Sequence, residues 1–162
     1  MQQKEITNSP EITKAAVDLP GRIIALDPGT KRIGIAICDE SRITIRPLPY
    51  FARSSWKKLL SHVTRLIGDF DAKMLVIGLP LASDGAEQDM SVEARDMARK
   101  FSLSLTIPVI LQDERVTSYE AKRRLWERGL SLKEAKEFVD SEAACVILED
   151  LLASSSSAAA RK

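Results

Sequence analysis

The strongest constraint on the fold is a pair of short apolar runs separated by only a few turn residues. Arg22 to Asp27 and Ile33 to Cys38 are each long enough for one β-strand, and Pro28-Gly29-Thr30 lies between them. So short a connection joins antiparallel strands, because parallel neighbours need a crossover of a dozen or more residues. The stretch predicts a β-hairpin with one carboxylate, Asp27, at the end of its first strand.

Beyond the hairpin, short apolar strands alternate with amphipathic helices. Strands joined through helices run parallel, because such crossovers are right-handed. The sequence therefore predicts an α/β fold, a mixed sheet of an antiparallel hairpin plus parallel strands, flanked by helices. The later strands are expected at Arg42–Phe51 (with Pro47 and Pro49 driving it to an edge), Met74–Leu79 and Pro108–Gln112, and helices are expected after Ser54 or Ser55 and from Ser91, Ser118 and Lys133.

The chain of 162 residues is long enough for one domain with a real core, and its hydrophobic fraction of 44% is ordinary. We expect a flexible extension over residues 1–20, a folded domain over 21–152 and a disordered tail over 153–162. No apolar run is long enough to span a membrane, and the first residues lack the apolar core of a secretory signal. The expected location is therefore the cytoplasm.

Charge and rare residues narrow the function classes. The formal net charge is only +1, so nucleic-acid binding would need a local basic patch. The single histidine, His62, leaves little basis for a histidine metal site or a Ser-His-Asp triad. Cys38 and Cys145 lie within apolar runs and read as core thiols.

Carboxylates end two of the predicted strands. Asp27 closes the first strand, and Asp113 and Glu114 close the last one in the sequence VILQDER. Ligands of such sheets gather at the carboxyl ends of the strands. Strand alternation sends Asp113 and Glu114 to opposite faces, so an error of one residue in the register would exchange them as ligand.

A third carboxylate, Asp140, belongs to the last helix. Its neighbours at helical spacing are apolar, so Asp140 is expected on the stripe that faces the sheet, with Glu142 and Glu149 on the opposite face. Taken singly, the three acids have structural alternatives: Asp27 as a cap of the Pro-Gly turn, and Glu114 and Asp140 in ion pairs. Together, crowded carboxylates without histidine or cysteine favour a site for Mg²⁺ or Mn²⁺.

Four motifs in this order and spacing resemble one family: ALDPGTKRIGIAICD, VIGLPLASDGAEQ, LQDERVTSYEA and VDSEAACVILEDLL. They are similar to the YqgF-type family of pre-16S rRNA nucleases, which are Holliday-junction-resolvase-like proteins with an RNase H-like fold. The resemblance covers about residues 22–152. It implies that Asp27, Glu114 and Asp140 are the catalytic and metal-binding acids of a hydrolase that cuts nucleic-acid phosphodiesters.

The resemblance further implies Mg²⁺ or Mn²⁺ as cofactor and processing of the 5′ end of pre-16S rRNA, in ribosome biogenesis. Many nucleases of the wider fold carry an acid after the strand that here ends in Gly78-Leu79-Pro80. Its absence leaves open whether one metal ion or two are bound.

Candidate substrate contacts surround Asp27. Gly29 would let a phosphate backbone approach, Lys31 and Arg32 would contact phosphates, and Arg115 would stabilise charge on the phosphate. For the basic residues the structural alternatives are a solvated hairpin tip and an ion pair with Glu114 or Asp113.

Two other functions stay open, a Holliday-junction-type DNA resolvase and a non-catalytic RNA-binding ribosome-assembly module. The expected partner is nucleic acid, either pre-16S rRNA or a structured DNA, and the sequence does not separate a monomer from a homodimer.

Overall fold

The computed structural model describes residue 18 and residues 20–82, 84–113 and 141–153. Five strands and two complete helices follow one another in the expected order. A third helix, α3, is described over residues 141–153. The bounds are β1 Arg22–Pro28, β2 Arg32–Cys38, β3 Ile45–Ala52, α1 Trp56–Phe70, β4 Ala72–Leu79, α2 Asp89–Ser104 and β5 Val109–Asp113.

The five strands form one mixed sheet in the order β3-β2-β1-β4-β5. β1 pairs with β2 antiparallel and with β4 parallel, and β4 pairs with β5 parallel. The predicted α/β fold is confirmed, including the antiparallel hairpin. β1 is the central strand of the sheet. Its carboxyl end therefore has strand ends of the sheet on both sides.

Both faces of the sheet are covered, which explains the nearly continuous apolar strands. Ile24 and Leu26 of β1 belong to the core that packs against α1 and α2, which we call the α1/α2 face. Ile23 and Ala25 belong to the core that packs against α3, which we call the α3 face. Alternation along β1 therefore assigns each residue to one helical layer.

The edge strand β3 contains both prolines, as expected of a strand with one unpaired side. Its pairing with β2 shifts register between Ile33, opposite Phe51, and Ile35, opposite Leu48. β3 thus has two residues between these pairs where β2 has only one. The ladder is interrupted there, which leaves backbone groups that need other partners.

Helix starts were predicted with mixed success. Ser55 caps α1, and its hydroxyl accepts a hydrogen bond from the Lys58 amide at 3.2 Å. The prediction that Ser91 caps α2 is wrong, because the cap is Gln88. Ser91 lies inside the first turn, where its hydroxyl accepts from the Gln88 amide at 2.9 Å and donates to the Pro80 carbonyl.

Several smaller expectations also meet the structure. Cys38 and Cys145 are buried free thiols, and burial raises the pKa of the Cys38 thiol, so both fit the predicted core role. In the described part of the chain, no helix is both long and apolar enough to cross a bilayer. The helix predicted over Ser118–Arg128 and most of the two terminal segments lie outside the described residues.

Candidate active site

Asp27 lies in the central strand, next to its last residue. It follows Ile23 and Ala25 at a spacing of two, so its side chain emerges on the α3 face. Its two chain neighbours, Leu26 and Pro28, are buried, whereas Asp27 itself is half-buried. The predicted position at the carboxyl end of the first strand is confirmed.

Glycines flank Asp27 on both neighbouring strands. Gly34 of β2 pairs directly with Asp27. On the other side the β1–β4 pairing extends to Leu26 and Ile77, and the next residue of β4 is Gly78. Neither glycine projects a side chain onto the α3 face. The Gly78-Leu79-Pro80 segment, which lacks an acid, thus has a steric role next to Asp27.

Gly29 is required by the turn itself. Its amide donates to the Arg32 carbonyl at 2.9 Å, and a Cβ at position 29 would lie 2.5 Å from the same oxygen. That contact is closer than any real Cβ tolerates against backbone. Closure of the β1–β2 hairpin is therefore sufficient to explain the glycine. The approach of a phosphate at Gly29 stays a prediction.

Lys31 and Arg32 are exposed at the hairpin end. The Arg32 guanidinium stacks over the Tyr50 ring, with its carbon 5.0 Å from the ring centroid. Arg32 precedes Ile33, whose side chain is in the α1/α2 core, so Arg32 projects from the α3 face, as Asp27 does. Arg32 therefore places a cation on the same face as Asp27.

At the end of β5, alternation distinguishes the two candidate acids. Leu111 packs in the α1/α2 core and Ile110 in the α3 core. Asp113 is exposed and pairs with Leu79, another residue of the α1/α2 core, so it faces away from Asp27. Glu114 and Arg115 lie outside the described residues.

Gln112 is a residue near the site that the sequence analysis missed. It pairs with Gly78 and shares the α3 face with Ile110, so it lies in the same row as Asp27, two strands away. The available signal was the alternation of VILQD, which assigns Gln112 to the same face as Ile110.

Ser141 anchors the described end of α3 to the sheet. Its fully buried hydroxyl donates to the Leu48 carbonyl at 2.6 Å and accepts from the Ile35 amide at 3.3 Å. These are backbone groups at the register shift between β2 and β3. Ile35 follows Gly34, the partner of Asp27, so the anchor lies close to the Asp27 row. Asp140, the residue before Ser141, is outside the described residues.

Glu142 does not lie at a solvent-facing position, as its place opposite the apolar stripe had suggested. Its side chain is fully buried, and Glu149 is half-buried. Residues 141–148 are all buried, so α3 is covered on every side over this stretch. Helical periodicity separates a sheet-facing side from the opposite side, but it does not tell whether that opposite side meets water.

Of the predicted site residues, the structure brings Asp27 and Arg32 to one face, with Lys31 beside them at the hairpin end. Among residue 18 and residues 20–82, 84–113 and 141–153, no three Asp, Glu, His or Cys side chains form a group able to hold a metal ion. Two of the three predicted acids are outside those ranges, so the predicted triad stays a prediction.

Comparison with known proteins gives the family. The profile of RuvX, described as Holliday junction resolvase, matches residues 21–154. A protein of Anaeromyxobacter sp. (strain K), named as a candidate pre-16S rRNA nuclease, is 40% identical over 131 residues, which are 81% of this chain and 96% of the relative. A protein of the same name from Syntrophomonas wolfei is also 40% identical over 131 residues, covering 81% of this chain and 93% of the relative.

A third relative with this name, from Haemophilus ducreyi, is 36% identical over 127 residues, covering 78% of this chain and 92% of the relative. Among solved structures, T. thermophilus RuvC in complex with Holliday junction substrate matches with a TM-score of 0.49 and 16% identity, over 82% of this chain and 94% of that one. The family profile and the relatives cover the whole sheet and α3. This chain therefore belongs to the RuvX family of Holliday-junction-resolvase-like nucleases.

Proposed function

We propose that this chain is a metal-dependent nuclease that cuts phosphodiesters in the 5′ region of pre-16S rRNA, in the cytoplasm. The observation that carries the proposal is the placement of Asp27. It ends the central strand of a mixed sheet, between two glycines, on the face covered by the helix that follows Asp140. The names of the relatives supply the substrate.

The surroundings of Asp27 suit a hard divalent cation. Carboxylate oxygens are the ligands that Mg²⁺ and Mn²⁺ take in proteins. The residues beside Asp27 on the neighbouring strands, Gly34 and Gly78, have no side chain, which favours the approach of an ion and a phosphate oxygen to the carboxylate. When bound, the metal would supply an activated water and stabilisation of the leaving oxygen.

Two further acids would complete the site. Glu114 follows Asp113 directly, and one more step of strand alternation would turn it to the face of Asp27. Asp140 precedes Ser141, whose hydroxyl is bonded beside Gly34. Glu114 and Asp140 are thus each adjacent in sequence to a described residue, Asp113 and Ser141 respectively. Asp113 is a poor alternative to Glu114, because it projects from the opposite face.

Basic residues would hold the substrate strand. Arg32 is oriented by its stacking on Tyr50 and projects from the same face as Asp27. Lys31 is exposed at the adjoining turn. Arg115, next to Glu114 in sequence, would stabilise charge on the phosphate. Gly29 closes the turn and keeps these groups together.

A structured DNA is the second candidate substrate, and the description of the RuvX family as Holliday junction resolvase favours it. Cutting a junction with two-fold symmetry calls for two active sites, and hence for a dimer. The choice between RNA and DNA depends on contacts to the 2′-hydroxyl, which only a substrate complex would reveal.

Cleavage assays test the proposal. The substrates are a 5′-extended pre-16S rRNA fragment and a four-way DNA junction, each with Mg²⁺, Mn²⁺ or EDTA. We expect metal-dependent cutting of the RNA that falls at least 100-fold in Asp27→Asn and in Glu114→Gln. Asp113→Asn is the matched control, one residue from Glu114 on the opposite face, and should cut at nearly the wild-type rate.

Each result has a distinct meaning. Cutting of the junction in place of the RNA would move the substrate to DNA. Binding of RNA by the wild-type protein without any cutting would leave a non-catalytic assembly module. Loss of activity in Asp113→Asn with full activity in Glu114→Gln would reverse the assignment of the acid on β5.

A further inference from the structure

A cavity of about 140 Å³ lies on the α1/α2 face, beside the β1–β2 turn. Its lining includes Arg53, Trp56, Glu93 and Lys100. Arg53 follows the last residue of β3, and its amide donates to the Lys31 carbonyl at 2.9 Å. The cavity therefore opens at the same edge of the sheet as Asp27, but on the other face. We call it the Arg53 cavity.

Arg53 carries two buried donors without an acceptor. Its Nη1 forms an ion pair with Glu93, which fixes one side of the guanidinium. Its Nε and Nη2 are shielded from solvent, and neither has a hydrogen-bond partner within the described part of the chain. Buried N–H groups without a partner are costly, and most such groups in proteins bind something.

These two donors form a specific recognition element. The Nε and Nη2 N–H bonds point the same way along one edge of the planar guanidinium. Such a pair matches two oxygens of one carboxylate or phosphate. A single water would satisfy the pair less well than a group with two acceptor oxygens at fixed separation. The unused edge of Arg53 is therefore suited to an oxyanion.

The rest of the cavity is compatible with an anion. Its two carboxylates are already engaged, Glu93 by Arg53, and Asp96 by Arg99 at 2.8 Å and Lys100 at 3.2 Å. The Lys100 ammonium lies 5.6 Å from the centroid of the Trp56 ring. Helix α1 begins at Trp56 and has no acid in its first turn, so its positive end is not neutralised there.

Access requires only side-chain movement. Glu93 and Lys100 are both 42% exposed, and each has a long, unbranched side chain. Both side chains can change rotamer on the timescale of surface side chains, which would widen the mouth of the cavity.

We propose that the Arg53 cavity binds a phosphate group of the nucleic-acid strand that Asp27 cuts. This inference rests on the proposed function. The hydrogen bond from the Arg53 amide to the Lys31 carbonyl places the cavity beside the hairpin turn. A nucleic-acid strand that passes Asp27 and the turn would therefore bring a neighbouring phosphate to Arg53. Two sources share this chemistry, an internal backbone phosphate and a terminal 5′-phosphate.

Binding measurements with a cleavage-deficient protein test the proposal. All variants carry Asp27→Asn, and fluorescence anisotropy follows a single-stranded RNA oligonucleotide at several salt concentrations. We expect Arg53→Gln to bind about tenfold more weakly at moderate salt. We also expect the plot of log affinity against log salt to become shallower by about 0.7, the value of one phosphate contact on a single strand.

Two variants serve as comparisons. Arg65→Gln removes the same charge from the exposed surface of α1, away from the cavity, and should leave the slope unchanged. Arg53→Lys keeps the charge but loses the paired donors, so it should restore the slope and only part of the affinity. Oligonucleotides with a 5′-phosphate or a 5′-hydroxyl distinguish the sources: equal effects of Arg53→Gln assign a backbone phosphate, and an effect confined to the phosphorylated one assigns the terminus.

Folding is checked independently of nucleic acid. Inorganic phosphate should raise the melting temperature of the wild-type protein more than that of Arg53→Gln. If the oligonucleotide binds and Arg53→Gln matches Arg65→Gln in affinity and slope, the inference is overturned while the proposed function stands. If no variant binds RNA or DNA at all, the proposed function fails together with it.

Discussion

At the scale of single residues, Ser141 joins three elements through one hydroxyl. It bridges the Ile35 amide and the Leu48 carbonyl, which lie at the register shift between β2 and β3. It does so from α3, immediately after Asp140. A serine is suited to this place because its hydroxyl both donates and accepts.

Ser141→Ala should destabilise the fold and weaken metal binding at the proposed site. The substitution removes the hydroxyl that bonds a buried amide and a buried carbonyl, so the free energy of unfolding should fall by about 1–3 kcal/mol. Because Ser141 holds α3 against the sheet next to Asp140 in sequence, the metal concentration for half-maximal cleavage should rise as well. Urea unfolding and a metal titration of cleavage, both at a temperature where the variant is folded, measure these effects.

Ser104→Ala is the control for this prediction. Among the described residues, its exposed hydroxyl bonds only to the Lys100 carbonyl of its own helix, at 2.8 Å. Both quantities should stay within error of wild type. A Ser141→Ala protein that is less stable but has an unchanged metal requirement would reduce Ser141 to a purely structural role.

At the scale of elements, the β1–β2 turn and α1 contain glycines with opposite consequences. A Cβ at Gly29 would meet the Arg32 carbonyl oxygen at 2.5 Å, whereas a Cβ at Gly68 would meet nothing within 4 Å. Gly68 lies within α1, where the freedom of glycine is a cost to the folded state. Gly29 is therefore needed for the β1–β2 turn to form, whereas Gly68 lowers the stability of α1.

Alanine substitutions should therefore change stability in opposite directions. Gly29→Ala should lower the free energy of unfolding by about 1–3 kcal/mol, because the turn must open to admit the methyl group. Gly68→Ala should raise it by about 0.5–1 kcal/mol through reduced freedom of the unfolded chain. Chemical denaturation of both variants under the same conditions measures the two changes. Equal effects would contradict the assignment of the Gly29 contact.

At the scale of the whole molecule, the site lies where the layers meet. Asp27 comes from the central strand and Ser141 holds α3 against the sheet edge at the row of Asp27. An ion bound by Asp27 and Asp140 would link sheet and helix. Because a ligand that binds only the folded state stabilises it by mass action, the metal should add to the stability of the whole domain.

Mg²⁺ should therefore raise the melting temperature. At a Mg²⁺ concentration about tenfold above the dissociation constant, the gain is about 1.4 kcal/mol, or about 3–6 °C for a domain of this size. Asp27→Asn should melt at the same temperature with and without Mg²⁺. Scanning calorimetry at constant ionic strength, with NaCl as the comparison salt, measures both. A shift that persists in Asp27→Asn would assign the ion to another part of the molecule.

Much of the fold could be predicted from local patterns. The hairpin around Pro28-Gly29, the apolar β4 and the Ser55 cap each depend on neighbours in sequence, and each was found. Ser91 was misassigned as a cap because capping depends on which backbone amides are left unpaired, and nearby polar residues compete for that place. The buried state of Glu142 was missed because periodicity ranks the faces of a helix but contains nothing about what covers them.

By itself the sequence determined the order of strands and helices, the carboxylate at the end of the first strand, and the four motifs of the RuvX family. These follow from periodicity and turn chemistry, which act over a few residues. Only the tertiary structure decided that Gly34 and Gly78 lie beside Asp27, that Ser141 bonds to β2 and β3 at their register shift, and that two donors of Arg53 have no partner among the described residues. Those contacts join residues far apart in the chain, so they depend on strand register and layer packing, which no local pattern specifies.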